Sequence, residues 1–164
     1  MTDPHDTPMP ERLRARYFLH GFGLIAAAML SGWAWFFQLL ERIVLWPIPG
    51  SLAVQVPGDP RAWRMAHMEG ITQGLLLMAI GVGGLFIRLT ARQHRILFVA
   101  AITAAWLFTI PAMLHPLFGT RGLAFGGGPF APGLANDVLY VIGWLPMIGV
   151  HVMIVLVLVG IRRH

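Results

Sequence analysis

The chain has no cysteine and no lysine, and it has little charge of either sign. Without cysteine there can be no disulfide, zinc thiolate, iron–sulfur cluster or thiol nucleophile. Charged residues make up 12% of 164 residues, about half the usual share of a soluble domain. All twelve basic residues are arginine, and the net charge is +5. These arginines flank apolar runs and form no stripe with interleaved aromatics, which excludes a nucleic-acid partner. Hydrophobic residues, by contrast, reach 57%. They fall into four long runs, and the length suits one domain.

Residues 1–11 are polar and proline-containing and read as a flexible tail. They lack a basic start, a short apolar core and a cleavage site, so no signal peptide is expected. Arg12, Arg14 and Arg16 precede the first apolar run, Phe18 to Leu40. At 1.5 Å per residue that run spans roughly 35 Å, enough to cross a bilayer core. Residues 41–60 hold Pro47, Pro49, Gly50, Pro57 and Gly58 and read as a loop, with a strand-like or interfacial stretch at Ser51 to Val56. Asp59-Pro60 is a helix start, an N-cap followed by proline at the first helical position. The second helix is expected over about 60–90, the third over 96–115 and the fourth over 138–161. Pro111 and Pro116 should kink or end the third. The result is an all-α, integral membrane four-helix bundle over residues 12–164.

Four spans place both termini on one side. Eight arginines (12, 14, 16, 88, 92, 95, 162 and 163) fall on that side and four (42, 61, 64 and 121) on the other. The positive-inside rule therefore puts the termini in the cytoplasm. The two outer loops are long and should fold over the outer end of the bundle.

Polar residues inside spans are costly and are the first functional candidates. Trp63, His67, Gly70, Gly74, Met78 and Gly81 share one helical stripe. Two readings fit that stripe. Glycines beside a histidine can clear a face for a flat macrocycle whose iron the imidazole binds, or they can let two helices approach closely. Glu69 falls on the opposite face and reads as an interfacial carboxylate. Gln73 could bond a bound oxygen or a neighbouring helix. His115 lies at the depth of His67, and could meet it or cap loop carbonyls. Gly126 to Gly128 lacks the lysine and spacing of a phosphate loop. From the residues alone, three classes stay open: a two-histidine b-type cytochrome using pairs such as His67 with His115 and His20 with His151, an enzyme with a singly ligated metal, and a cofactor-free membrane protein.

Two segments carry a resemblance. One is Val56-Pro57-Gly58-Asp59-Pro60 with Trp63, Ala66-His67 and Gly74. The other is Arg121-Gly122-Leu123-Ala124-Phe125-Gly126 with Phe130, Pro132 and Gly133. Together, in order, on four spans, they resemble the styrene oxide isomerase family. The resemblance implies a homotrimer in the bacterial inner membrane with haem b near subunit interfaces. It also implies an axial ligand at His67 and a ferric Lewis acid that opens an apolar epoxide to a carbonyl compound. Gly70 and Gly74 would lie against the macrocycle, Gln73 would contact the oxygen, and Arg121 would pair with a propionate or brace the outer loop. The chain departs from the family at Ala104, Phe108 and Ala112, where polar residues are expected, and at Leu134, with Asp137 three residues later.

Overall fold

The computed structural model describes residues 6–129 and 131–164. Residues 1–5 of the expected tail and Phe130 of the second motif lie outside the described residues. Four helices follow in order: α1 (Glu11–Leu40), α2 (Pro60–Gly83), α3 (Ala91–Phe118) and α4 (Leu134–Arg162). Each is long and apolar enough to cross a membrane, and the chain is a multi-pass membrane protein. Large apolar side chains such as Leu30, Trp33, Val82, Val141 and Ile148 point outward, as a lipid-facing surface requires. A two-stranded antiparallel ribbon, β1 (Arg42–Ile43) and β2 (Leu52–Ala53), folds the loop after α1. It meets the apolar stretch expected at Ser51 to Val56.

The helix bounds differ from the sequence reading for local reasons. α2 ends at Gly83, before the expected residue 90. The chain then turns, and Leu89 exchanges two backbone hydrogen bonds of 3.1 Å with Thr7. A capping box at Thr90 and Gln93 restarts the helix, so Arg92 to Arg95 belong to α3 and not to a connection. α3 runs through Pro111 and Pro116 and ends at Gly119, which adopts φ +66°. Residues 6–10, expected within the flexible tail, are docked. Asp6 is buried against Arg163 at 3.1 Å, Thr7 pairs with Leu89, and Met9 enters the core.

α1 and α2 approach through small residues. A Cβ at Gly74 would stand 2.6 Å from the Gly21 carbonyl oxygen, and one at Gly21 would stand 2.8 Å from the Gly74 oxygen. Without side chains at these points, backbone meets backbone, the usual route to tight association in lipid. α4 packs on α3, with Gly149 against the Ala100 carbonyl. Among the described residues, the α4 backbone approaches neither α1 nor α2 closely. A cleft therefore opens between α2 and α4, floored by α3.

Candidate functional site

The turn entering α2 is built by its sequence. Gly58 holds φ +104°, and a Cβ there would stand 2.5 Å from the Pro116 carbonyl oxygen. The Val56 and Gly58 carbonyls both accept from Gln38 Nε2. Asp59 caps the helix through the Arg61 amide, and Trp63 Nε1 donates back to the Pro57 carbonyl at 2.9 Å. These contacts fix the first turns of α2 and so the placement of His67.

His67 sits at the end of the α1–α2 seam. Its Nδ1 lies 2.9 Å from the Ala28 carbonyl oxygen. A carbonyl only accepts, so Nδ1 carries the proton and Nε2 holds the free lone pair. Nε2 makes no hydrogen bond among the described residues. The ring lies over Gly32, where a Cβ would come within 2.7 Å of Nδ1. A histidine whose Nδ1–H is held by a backbone carbonyl, with Nε2 presented outward, is the usual form of a metal-ligating imidazole. The half-buried setting and the donor chemistry fit a single axial ligand. Among the described residues, no group of three or more His, Asp or Glu could hold a metal ion.

Gly70 and Gly74, expected beside a macrocycle, pack against α1. Gly70 faces Ala28 and Leu24, and Gly74 faces Gly21 and Ile25. α1 fills the space they clear, because two apolar helices in lipid gain most from close contact. At these two positions the packing reading describes the structure, while His67 alone remains available to a ligand.

A cavity of about 410 Å3 occupies the α2–α4 cleft. Its walls are mostly apolar, with Phe108, Pro111 and Trp144 prominent, and its polar lining residues are Glu69, His115, Arg121 and Tyr140. Glu69 and His67 are two residues apart on α2, about 200° around the helix, so within one chain they face opposite ways. Gln73, expected as an oxygen contact, donates from Nε2 to Glu69 Oε1 at 2.9 Å. It lies on the Glu69 side of α2 and not beside His67. Sequence reasoning missed Glu69 as a cavity group. Its helical phase pointed away from His67, and no local signal reports what α3 and α4 place opposite it.

Arg121 and His115 form one unit. His115 donates from Nδ1 to the Thr120 carbonyl, and its Nε2 accepts from Arg121 Nε at 3.2 Å. Arg121 Nη2 also reaches Met65 Sδ. Arg121 thus braces the outer loop at the cavity wall. With both His115 ring nitrogens engaged, the pairing of His115 with His67 as two axial ligands is not formed. His20 and His151 do not pair either: they lie on α1 and α4, whose backbones do not approach each other among the described residues.

The loop that carries Arg121 is pinned to α4. Gly122, at φ +59°, lies against the Leu139–Tyr140 backbone, where a Cβ would come within 2.6 Å. Buried Asn136 accepts from Thr120 Oγ1 at 2.6 Å and donates to the Ala124 carbonyl at 2.8 Å. Asp137 accepts from the Gly126 amide. Of the three departures on α3, Phe108 and Ala112 line the cavity, while Ala104 is buried beneath Gly149.

The family model described as styrene oxide isomerase matches residues 13–162. That span is nearly the whole chain, and the chain belongs to the styrene oxide isomerase family. No curated protein matches it.

Proposed function

We propose that the chain is a haem b-dependent isomerase that converts an apolar, aryl-bearing epoxide to an aldehyde or ketone. In this reading it is a homotrimer in the bacterial inner membrane with both termini cytoplasmic. Family membership supports an isomerase. The observation that carries the cofactor assignment is the His67 Nδ1–H bond to the Ala28 carbonyl, which leaves Nε2 as a donor to iron. Haem bound there would supply a ferric Lewis acid for the epoxide oxygen.

The chain's own groups do the rest. The Ala28 carbonyl fixes the His67 tautomer and raises the basicity of its other nitrogen. The apolar walls of the cavity exclude water, which would trap a carbocation as a diol. Heterolysis of the benzylic C–O bond followed by a hydride shift conserves every atom and electron, so no redox partner is consumed. Glu69, held by Gln73 Nε2 at 2.9 Å, presents a carboxylate to the cavity; a charge placed there would lower the barrier for a positive carbon developing beside it. Phe108 and Ala112 make the wall more apolar than the family pattern, which favours a substrate without polar substituents. His67 and the cavity face opposite sides of α2, so this reading requires the His67 of one copy to face the cavity of the next.

The test is turnover of aryl epoxides by the haem-loaded protein. Ferric protein should give the carbonyl isomer, and dithionite should stop it. Diol as the sole product, or no turnover by haem-loaded ferric protein across a panel of aryl epoxides, would overturn the assignment.

A further inference from the structure

The end of the bundle that holds both termini carries a second cavity, of about 290 Å3, lined by Pro10, Arg12, Leu13, Arg16, Ala91, His94 and Arg95. It lies between the first turns of α1 and α3. Arg12 and Arg16 are four residues apart on one face of α1, and Arg95 stands across from them on α3. Their guanidinium groups make no hydrogen bond or ion pair among the described residues, whereas nearby Arg14 is held by the Gly81 carbonyl and Arg163 by Asp6. No acidic residue lines the cavity. Three cations gathered without a counter-charge repel one another unless an anion joins them.

His94, also in the lining, is 1% exposed, and its Nε2 donates to the Thr7 carbonyl at 2.9 Å. Ala91 is the first residue of α3, so the amide dipoles of that helix also favour negative charge here.

The surroundings identify the source of the anion. Deeper along the same faces stand Leu19 and Val99, 71% and 61% exposed. A ligand seated at the arginines would extend over apolar surface toward the bilayer interior. α1, at 30 residues, is about 45 Å long, so its first turns reach the headgroup level.

We propose that Arg12, Arg16 and Arg95 form a binding site for the phosphate of an anionic phospholipid, whose acyl chains run down the α1–α3 face. Basic pockets between spans at the headgroup level recognise lipids in this way. The site is separate from His67 and from the α2–α4 cavity, and it stands whether or not the isomerase assignment holds.

The experiment uses the full chain in phosphatidylcholine bilayers carrying spin-labelled phosphatidylglycerol or spin-labelled phosphatidylcholine. The motionally restricted fraction is read by electron paramagnetic resonance. Wild type should restrict phosphatidylglycerol in preference to phosphatidylcholine. Arg16→Gln with Arg95→Gln should lose that preference by roughly five-fold for each arginine. Arg92→Gln with Arg162→Gln removes equal charge from the same end, outside the cavity, and should retain it. Melting temperatures of the detergent-solubilised variants should match wild type, which separates lost binding from lost folding. Equal restriction of the two lipids by wild type would overturn the proposal, as would equal losses in the two double variants. Displacement of the labelled lipid by inorganic phosphate at constant ionic strength would also overturn it, because the site would then take the free anion.

Discussion

Gly32 and His67 are matched across the α1–α2 seam: a Cβ at position 32 would stand 2.7 Å from the His67 Nδ1 that bonds the Ala28 carbonyl. One helix supplies the missing side chain and the acceptor, and the other supplies the ring. Gly32→Ala should push the imidazole off its carbonyl without removing it. Haem affinity should fall about 10- to 100-fold, as when a ligand histidine loses its orienting partner, while the helical circular dichroism stays unchanged. A titration with haem followed by absorbance reads this directly, and an affinity equal to wild type would show that the pairing does not orient a ligand.

The seam below His67 depends on backbone contact. Gly74→Ala places a Cβ 2.6 Å from the Gly21 carbonyl oxygen, and neither partner is a flexible side chain that can move aside. Overpacking of this kind costs about 1–3 kcal/mol. Reversible unfolding in mixed micelles should show a loss of that size. Gly83→Ala, where nothing lies within 4 Å of the built Cβ, should leave stability nearly unchanged.

The α2–α4 cavity can be closed without touching His67. Ala112 lies in its wall beside Phe108, and Ala112→Trp would occupy much of the 410 Å3. Epoxide turnover should fall at least ten-fold while the haem absorption stays as in wild type. Full activity with the cavity filled would place substrate elsewhere.

Glu69 gives a finer test of the same cavity. Glu69→Gln keeps the shape and removes the charge that Gln73 holds. The expected result is a lower kcat with little change in KM, since the carboxylate acts on charge that develops only in the transition state. An equal rise in KM at constant kcat would assign Glu69 to uniform binding instead.

Asn136 joins the outer loop to α4 through Thr120 and Ala124. Asn136→Leu would leave a buried hydroxyl and a carbonyl without that partner, at about 1–3 kcal/mol per unsatisfied group. Thermal unfolding should report the loss. Protease cleavage within residues 119–128 should rise in parallel.

Much of the fold was legible because its signals are local. The four apolar runs, the Asp59-Pro60 start and the glycines of α2 each speak through neighbouring residues. The capping box at Thr90 and Gln93 was equally local, but the run of Arg92 to Arg95 obscured it, and α3 begins earlier than its apolar part. The docking of Asp6 and Thr7 could not be read, because their partners Arg163 and Leu89 are distant in sequence. The site divides in the same way. His67 stood out as a histidine among glycines, whereas the role of those glycines depended on which helix covered them. Gly32, Ala28 and the cavity face of Glu69 are tertiary facts, and helical phase alone carried no trace of them.

The most direct test of the central claim is the absorption spectrum of the purified protein supplied with haem, taken beside His67→Ala. The account predicts a Soret band at one haem per chain in wild type, its loss in His67→Ala, and its partial return when imidazole is added to the variant. It also predicts that His115→Ala leaves the band in place, since both ring nitrogens of His115 are engaged with Thr120 and Arg121. A colourless wild type, or a Soret band that survives in His67→Ala, would contradict the account.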